Sequence, residues 1–283
     1  MPNQVAPIGV FDSGYGGLTV LRDLQTLLPE YDYLYLGDNA RAPYGSHSFQ
    51  LIYQYTKEGV RYLFEQGCPL VILACNTASA RALRQLQMCD LANSADPTRR
   101  ILGVIRPTVE YLGQLSEDAL TEVGLVATEA TVASNSYGIE VNKYAPQVRL
   151  TQKATPIWAA LVEHGEIDDN EGVQYFVHRD LSELLNRVPQ MEALVLACTH
   201  YPLLLPRIKQ VLPDAIRVIT QGGIVAQSLR DYLERHPEMQ CRLTQGNTTR
   251  YCTTEDETRF ATMADFFMPD TITTERVRHV TLI

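Results

Sequence analysis

Short apolar segments rich in β-branched residues alternate with segments of helical periodicity along most of the 283-residue chain. This alternation is typical of a parallel sheet whose strands are joined by crossover helices. Segment 18–28, for example, repeats leucine at the spacing of one helix face. The predicted fold class is therefore α/β, with strands expected at 8–12, 31–37, 70–75, 101–105, 123–128, 148–152, 193–198 and 216–220.

The composition is that of a globular protein, with 45% hydrophobic and 20% charged residues. No apolar run approaches the roughly 18 residues that a membrane span requires, so we expect no membrane partner. The opening MPNQVAPIGVFDSG lacks the basic start and apolar stretch of a secretory signal, and a cytoplasmic location is predicted. A net charge of −9 opposes binding to phosphate backbones, and nucleic acid is not expected as a partner.

Two distant segments resemble each other. LVILACNTAS at 70–79 and ALVLACTHYP at 193–202 both run from a strand-like segment through Leu-Ala-Cys to a polar pair. Ligands of parallel α/β sheets bind beyond the carboxyl ends of the strands, which is where Cys75 and Cys198 are expected. A following helix N-terminus lowers a thiol pKa, so both residues are candidate thiolates.

Two thiols at one site suggest proton transfer at both faces of one carbon, as racemisation requires. Cys198 with His200 is also compatible with covalent acyl chemistry. A pyridoxal cofactor is disfavoured, because none of the four lysines lies in a recognisable cofactor context. No Cys-x-x-Cys pair or zinc-ligand spacing occurs, so neither a metal nor a cofactor is expected.

The polar loops suit an anionic ligand. The loop 12–17 follows the first strand and opens a helix, so its backbone N–H groups can receive an anion. Its glycines do not match the dinucleotide spacing G-x-G-x-x-G. Pro43, Tyr44 and Gly45 form a turn that offers further backbone donors.

Polar pairs follow both cysteines. Asn76 and Thr77 after Cys75, like Thr199 and His200 after Cys198, can bind carboxylate or ammonium groups. Helix capping is the alternative role of such residues. His200 can assist its neighbouring thiol, and Asp12 at the end of the first strand can do the same for Cys75.

These motifs together resemble the bacterial glutamate racemases of the aspartate/glutamate racemase superfamily. The segments that carry the resemblance are FDSGYGGLTV at 11–20, YLGDNARAPYG at 35–45, ACNTASA at 74–80 and ACTHYPLL at 197–204, with RYCTTED at 250–256 as an expected closing strand. The resemblance implies two similar α/β domains with the active site in the cleft between them. The first domain is expected at 1–100 plus 214–283 and carries Cys75, and the second at 101–213 and carries Cys198.

The resemblance also implies cofactor-independent racemisation of glutamate, with D-glutamate supplied to peptidoglycan synthesis. A homodimer is compatible with it. Catalysis is expected from the two cysteines, assisted by Asp12, Glu163 and His200. The expected substrate-binding residues are Asp12, Ser13, Pro43, Tyr44, Gly45, Asn76, Thr77, Thr131, Thr199 and His200.

Two positions depart from the family pattern. Ala130 replaces a glycine in the segment Ala-Thr-x-Gly-Thr-Val, and Thr155 replaces the cysteine of a Cys-Pro pair. The alternatives that remain open are racemisation of aspartate or another acidic amino acid, a cysteine hydrolase or amidase that uses Cys198 alone, and a glutamate-binding protein without catalysis.

Overall fold

The structure, a computed structural model, describes residues 5–117, 120–167 and 171–283. These residues form two sheets in which all paired strands are parallel. The strands are β1 (Ile8–Asp12), β2 (Tyr33–Gly37), β3 (Leu70–Leu73), β4 (Arg100–Gly103), β5 (Glu122–Ala127), β6 (Arg149–Ala154), β7 (Ala193–Ala197), β8 (Arg217–Ile219), β9 (Thr249–Thr253) and β10 (Val277–His279). The first sheet has the order β10-β9-β2-β1-β3-β4, and the second has the order β6-β5-β7-β8.

Helices connect the strands and cover both faces of the sheets. The α-helices are α1 (Gly17–Leu27), α2 (Phe49–Glu65), α3 (Asn76–Arg81), α4 (Leu83–Gln85), α5 (Ile105–Glu117), α6 (Glu129–Ser134), α7 (Ser136–Tyr144), α8 (Trp158–Glu163), α9 (Glu171–Arg187), α10 (Leu205–Val211), α11 (Gly222–Arg235), α12 (Pro237–Gln240) and α13 (Glu257–Ala264). Shorter 3-10 helices span Asn39–Arg41, Tyr44–Ser46, Tyr201–Leu204 and Thr274–Arg276, and a π-helix spans Leu86–Leu91. Among the described helices, none combines the length and the apolar character needed to cross a bilayer.

The central strands are apolar throughout because helices cover both of their faces. In β1, Ile8 and Val10 pack in the core that extends between the two sheets, whereas Phe11 points to the opposite face and packs near α2. The first of these cores also contains residues of β7 and α9, so a single apolar interior joins the two halves.

The α/β prediction is confirmed, and all eight predicted strands are present: β1 has the predicted ends, and the other seven differ from the prediction at one or both ends. The predicted helix 18–28 corresponds to α1. The segment RYCTTED lies in and after β9, but β9 is an interior strand, and β10 forms the edge of the sheet. β10 was not predicted, since it is three residues long and mostly polar.

The sheet membership of two strands differs from the expected domain boundaries. β4 pairs with β3 in the first sheet, although the boundary at 100 assigned nearly all of it to the second domain. β8 pairs with β7 in the second sheet, although residues from 214 onward were expected in the first domain. The sheet to which each edge strand belongs is determined by the strand with which it forms hydrogen bonds. Pairing with a distant strand leaves no local signal in the sequence.

Candidate active site

The carboxyl ends of the two sheets meet in a cleft. Thr77, at the start of α3, has its hydroxyl oxygen 2.9 Å from that of Thr128, which follows β5 of the second sheet. On the other side, the Thr19 hydroxyl donates to the Thr199 carbonyl over 3.1 Å. These contacts bring together the ends of β1, β3, β5 and β7, where the two cysteines lie.

Cys75 caps α3 with its own side chain. Its Sγ accepts a hydrogen bond from the Ala78 backbone N–H at 3.4 Å and lies 3.3 Å from the Ser13 hydroxyl. Burial nevertheless raises the pKa of the Cys75 thiol to about 12, and the nearby Asp12 charge acts in the same direction. The expectation of a lowered pKa at Cys75 is therefore wrong, because desolvation outweighs the helix N-terminus. Cys75 is a thiol in this structure at neutral pH.

Cys198 belongs to a line of three buried groups. Its Sγ lies 3.7 Å from His200 Nδ1, and His200 Nε2 lies 3.0 Å from Glu163 Oε1. The last contact has the distance of an ion pair, but its angle does not meet hydrogen-bond geometry, and neither atom has another hydrogen-bond partner. Burial disfavours the imidazolium, yet Cys198 and Glu163 together raise the pKa of His200 well above its usual value.

Asp12 lies at the end of β1 and is fully buried. Its Oδ2 accepts a hydrogen bond from the Gly14 backbone N–H at 2.9 Å. This N–H of the loop 12–17, which was predicted to bind an anionic ligand, therefore binds the Asp12 carboxylate in this structure. Burial raises the pKa of Asp12, opposed by the charge of His200. The other oxygen, Oδ1, has no hydrogen-bond partner. Asp12 is therefore electrostatically connected to both Cys75 and His200.

Asn76 is held by a buried polar network instead of capping α3. Its amide bonds to Gln221 and to the hydroxyl of Tyr137, both over 2.6 Å. Gln221 in turn bonds to Tyr137 and Thr108. Of these four residues the sequence analysis identified Asn76 alone, because the other three are distant in sequence and belong to no motif.

Three threonine hydroxyls line the opposite side of the cleft. Thr128 caps α6 and lies 2.9 Å from both Thr77 and Thr131. Ala130, at the position where the family pattern has glycine, is buried, and its carbonyl accepts a hydrogen bond from Arg81. The alanine is thus accommodated without disturbing the threonine cluster.

The turn 43–45 approaches the second half of the molecule. A Cβ on Gly45 would lie 2.9 Å from Thr128 Cβ, which leaves no room for a side chain. The buried Tyr44 hydroxyl donates to Asp38, which also binds Arg41. Pro43 is half-buried beside them.

Thr155 lies behind Cys198. Its hydroxyl is 2.7 Å from that of Tyr201, and Tyr201 also donates to the Thr155 carbonyl. The charge of Cys198 contributes to the raised pKa of Tyr201, after burial. Thr155, which replaces the family's cysteine, is therefore linked to Cys198 through Tyr201.

The site is closed to solvent. Both cysteines are at most 6% exposed, as are Asp12, Ser13, Tyr44, Asn76, Thr77, Thr131, Thr199 and His200. No group of three or more His, Cys, Asp or Glu side chains suited to a metal ion occurs in the described parts of the chain. A separate groove of about 600 Å³ lies between α5, β8 and α11 and contains none of these residues.

Most of the predicted site residues are buried around the ends of β1, β3, β5 and β7, whereas Pro43, Gly45 and Glu163 are partly exposed. Thr128, Tyr137 and Gln221 form hydrogen bonds with these residues and were not predicted. A sequence signal for Thr128 did exist, since it is the last residue of a predicted strand and precedes Thr131 by three residues.

Comparison with known proteins identifies the family. Residues 8–229 match the Asp/Glu/Hydantoin racemase family. A glutamate racemase from Ruegeria sp. is 39% identical over 276 residues, covering 95% of this chain and 98% of its own. One from Paracoccus denitrificans is 40% identical over 269 residues, covering 92% and 96%. Among solved structures, the glutamate racemase of Francisella tularensis in complex with D-glutamate superposes with a TM-score of 0.83 at 28% identity, covering 98% of this chain and 97% of that one. The chain therefore belongs to the Asp/Glu/Hydantoin racemase family.

Proposed function

We propose that this isomerase interconverts L- and D-glutamate without a cofactor, using Cys75 and Cys198 as a proton donor and acceptor pair. The observation that carries the proposal is the pair of buried cysteines at the carboxyl ends of β3 and β7, which lie at one cleft between the two sheets. The similarity to glutamate racemases supports glutamate as the substrate.

The two thiols have different surroundings, which suits opposite roles. Cys75 rests as a neutral thiol because burial raises its pKa to about 12. Cys198 faces His200, whose raised pKa keeps the imidazole cationic and complementary to a thiolate. A thiolate at Cys198 takes the α-proton from one face of the substrate, and the Cys75 thiol donates its proton to the opposite face. Exchange of these protonation states prepares the site for the other enantiomer.

Three acidic or basic groups assist the thiols in this proposal. Glu163 holds His200 in its charged form across 3.0 Å. Asp12 interacts electrostatically with Cys75 and His200, and its free Oδ1 is available to the substrate ammonium group. None of these groups requires a metal ion or prosthetic group to act.

The carbanion formed at the α-carbon requires stabilisation, because no electron sink is part of the proposal. A site with nearly all solvent excluded strengthens hydrogen bonds to the substrate carboxylates. The proposed donors and contacts come from the loops at the strand ends. They are Ser13, Pro43, Tyr44, Gly45, Asn76, Thr77, Thr131, Thr199 and His200.

We further propose that the enzyme acts in the cytoplasm and supplies D-glutamate for peptidoglycan synthesis. A homodimer is compatible with this role. The similarity to glutamate racemases supports this part of the proposal.

The reaction is tested by incubating the purified protein with L-glutamate in D₂O, and separately with L-aspartate. We expect loss of both optical rotation and the α-proton signal with glutamate, and no change with aspartate. Exchange with aspartate alone would keep the chemistry and change the substrate. If neither substrate loses optical rotation or its α-proton signal, racemisation is rejected and a hydrolase or a binding protein is favoured.

The two-thiol mechanism is tested with Cys75→Ala and Cys198→Ala. We expect each variant to lose at least about 10³-fold in kcat, since each removes an essential acid or base, and to keep its fold. Cys241→Ala is the matched control, because Cys241 is an exposed cysteine. Full activity in either site variant would reject the pair, and activity lost only in Cys198→Ala would favour a single nucleophile.

A further inference from the structure

In the buried hydrogen-bond network around Asn76, each group can donate and accept in only one way. A residue outside the proposed substrate site determines these donor and acceptor roles. The network starts at Thr108, which is fully buried on α5. The single hydrogen of the Thr108 hydroxyl is donated to the Val104 carbonyl over 2.8 Å. Towards any other neighbour Thr108 can therefore only accept.

Gln221 receives its orientation from this acceptor. Its Nε2 lies 2.8 Å from the Thr108 hydroxyl and 3.5 Å from the Val104 carbonyl. An amide turned the other way would face both acceptors with its own oxygen, and Gln221 is only 4% exposed, so solvent cannot compensate. The amide nitrogen of Gln221 must point towards Thr108.

The direction then passes through Tyr137 to Asn76. The second Nε2 hydrogen of Gln221 is donated to the Tyr137 hydroxyl over 2.7 Å, which commits the Tyr137 hydrogen to Asn76 Oδ1 at 2.6 Å. Asn76 Nδ2 consequently donates to Gln221 Oε1 at 2.6 Å. These three hydrogen bonds form a closed ring, and one N–H of Asn76 remains outside it.

We infer that Gln221, acting directly and through Tyr137, is a positioning residue that fixes the orientation of the Asn76 amide, so that its remaining N–H is the group presented to the substrate. This inference rests on the proposed function, in which Asn76 binds glutamate beside Cys75. Without the ring, the oxygen and nitrogen of the Asn76 side chain are nearly equivalent in shape and can exchange places. The ring also joins Asn76 of α3 to Tyr137 of α7, a helix that packs against strands of the second sheet.

A double-mutant cycle tests this role with Gln221→Met, Asn76→Ala and the double variant. Methionine preserves the length of the side chain and removes both polar atoms. We expect Gln221→Met to reduce kcat/KM by roughly tenfold through misplacement of Asn76. In the Asn76→Ala background the same substitution should change kcat/KM by less than about twofold, because its target is gone. Equal factors in the two backgrounds would overturn the inference.

A second variant guards against a general loss of stability. Tyr137→Phe removes the hydroxyl that links Gln221 to Asn76, and Tyr33→Phe removes a buried hydroxyl that donates only to backbone carbonyls of α1 and its end. We expect both to lower Tm, but only Tyr137→Phe to lower kcat/KM and to be non-additive with Asn76→Ala. Equal activity of these two variants would reject the positioning role. Lack of glutamate racemisation by the wild-type chain would instead reject the proposed function, and the two failures are thus distinguishable.

Discussion

Burial and a helix N-terminus act on the Cys75 thiol in opposite directions. The Ala78 N–H and the Ser13 hydroxyl favour the thiolate, but removal of the thiol from water raises its pKa to about 12. A motif at a strand end indicates where a cysteine lies, but its protonation depends on the solvent that the rest of the fold excludes.

The charge of His200 depends on Glu163, and Glu163→Gln tests this dependence. Loss of the carboxylate lowers the pKa of His200, so the imidazole becomes neutral at a lower pH than in the wild type. If the cationic form assists proton transfer, activity is lost as pH rises through the His200 pKa. We expect the alkaline limb of the kcat/KM profile to move to lower pH, and kcat/KM at neutral pH to fall roughly 10- to 100-fold.

The same substitution has a stability effect whose sign is defined. A raised folded-state pKa contributes stability that is complete below the unfolded pKa of histidine, near 6.5, and is lost as pH rises through the folded value. The variant should therefore lose stability relative to the wild type at neutral pH. Glu234→Gln, on the exposed side of α11, is the matched control. An unshifted pH profile in Glu163→Gln would contradict the ion pair.

The proposed site residues could be identified from sequence because they directly follow strands or belong to short motifs. Asp12, Cys75 and Cys198 all occur within two residues of a strand end. Gln221 and Tyr137 carry no such mark, since Tyr137 lies inside α7 and Gln221 is the residue immediately before α11, with no motif at either position. Their role arises from hydrogen bonds to Asn76, which is 145 residues away from Gln221 and 61 residues away from Tyr137 in the sequence.

At the scale of elements, the loop before α1 is packed against the segment after β7. Gly16 has an ordinary helical backbone, with φ of −55°, so its need for glycine is one of space. A Cβ there would collide with the Thr199 hydroxyl and the His200 ring. The close contact between the two halves at this point is possible because glycine has no side chain.

Gly16→Ala should therefore displace the loop that carries His200. We expect destabilisation of about 1–3 kcal/mol from overpacking, together with at least tenfold lower kcat/KM, roughly, from displaced catalytic groups. Chemical denaturation and steady-state kinetics measure the two effects. Gly223→Ala is the control, because a Cβ there meets no atom within 4 Å and should stabilise α11 by about 0.5–1 kcal/mol. Wild-type activity in Gly16→Ala would contradict this prediction, because it would show that the loop accommodates the added methyl group without displacing the catalytic groups.

The elements themselves were largely predictable because buried parallel strands form continuous apolar runs. β1 and β7 match the prediction within one residue at either end. β10 was missed because an edge strand of three residues, two of them exposed, has no apolar run. The sheet that β4 and β8 join is decided by pairing with distant strands, and no local pattern indicates it.

At the scale of the whole molecule, the closed cleft requires movement for substrate to enter. With both cysteines at most 6% exposed, glutamate cannot reach them unless the two halves separate. The threonine contacts of α3 with the end of β5 and with α6 connect the two halves that would have to separate. They must break and re-form with each turnover.

D-glutamate should therefore stabilise the closed form. We expect slower amide hydrogen exchange in α3 and α6 with the ligand bound and little change in α2. At a ligand concentration of 100 times Kd, stability should rise by about 2.7 kcal/mol. D-alanine serves as a control that lacks the second carboxylate. Equal protection of α2 would indicate a general stabilisation instead of closure.

The order of strands in the first sheet also bears on how the protein is made. β2 lies between β1, which is synthesised early, and β9, which follows the whole second sheet in the chain. A ribosome releases the second sheet as one continuous segment, but one edge of β2 has no partner until residues 249–253 emerge. An open strand edge is a template for pairing with other chains. Nascent chains interrupted before that point would carry this edge of β2 unprotected.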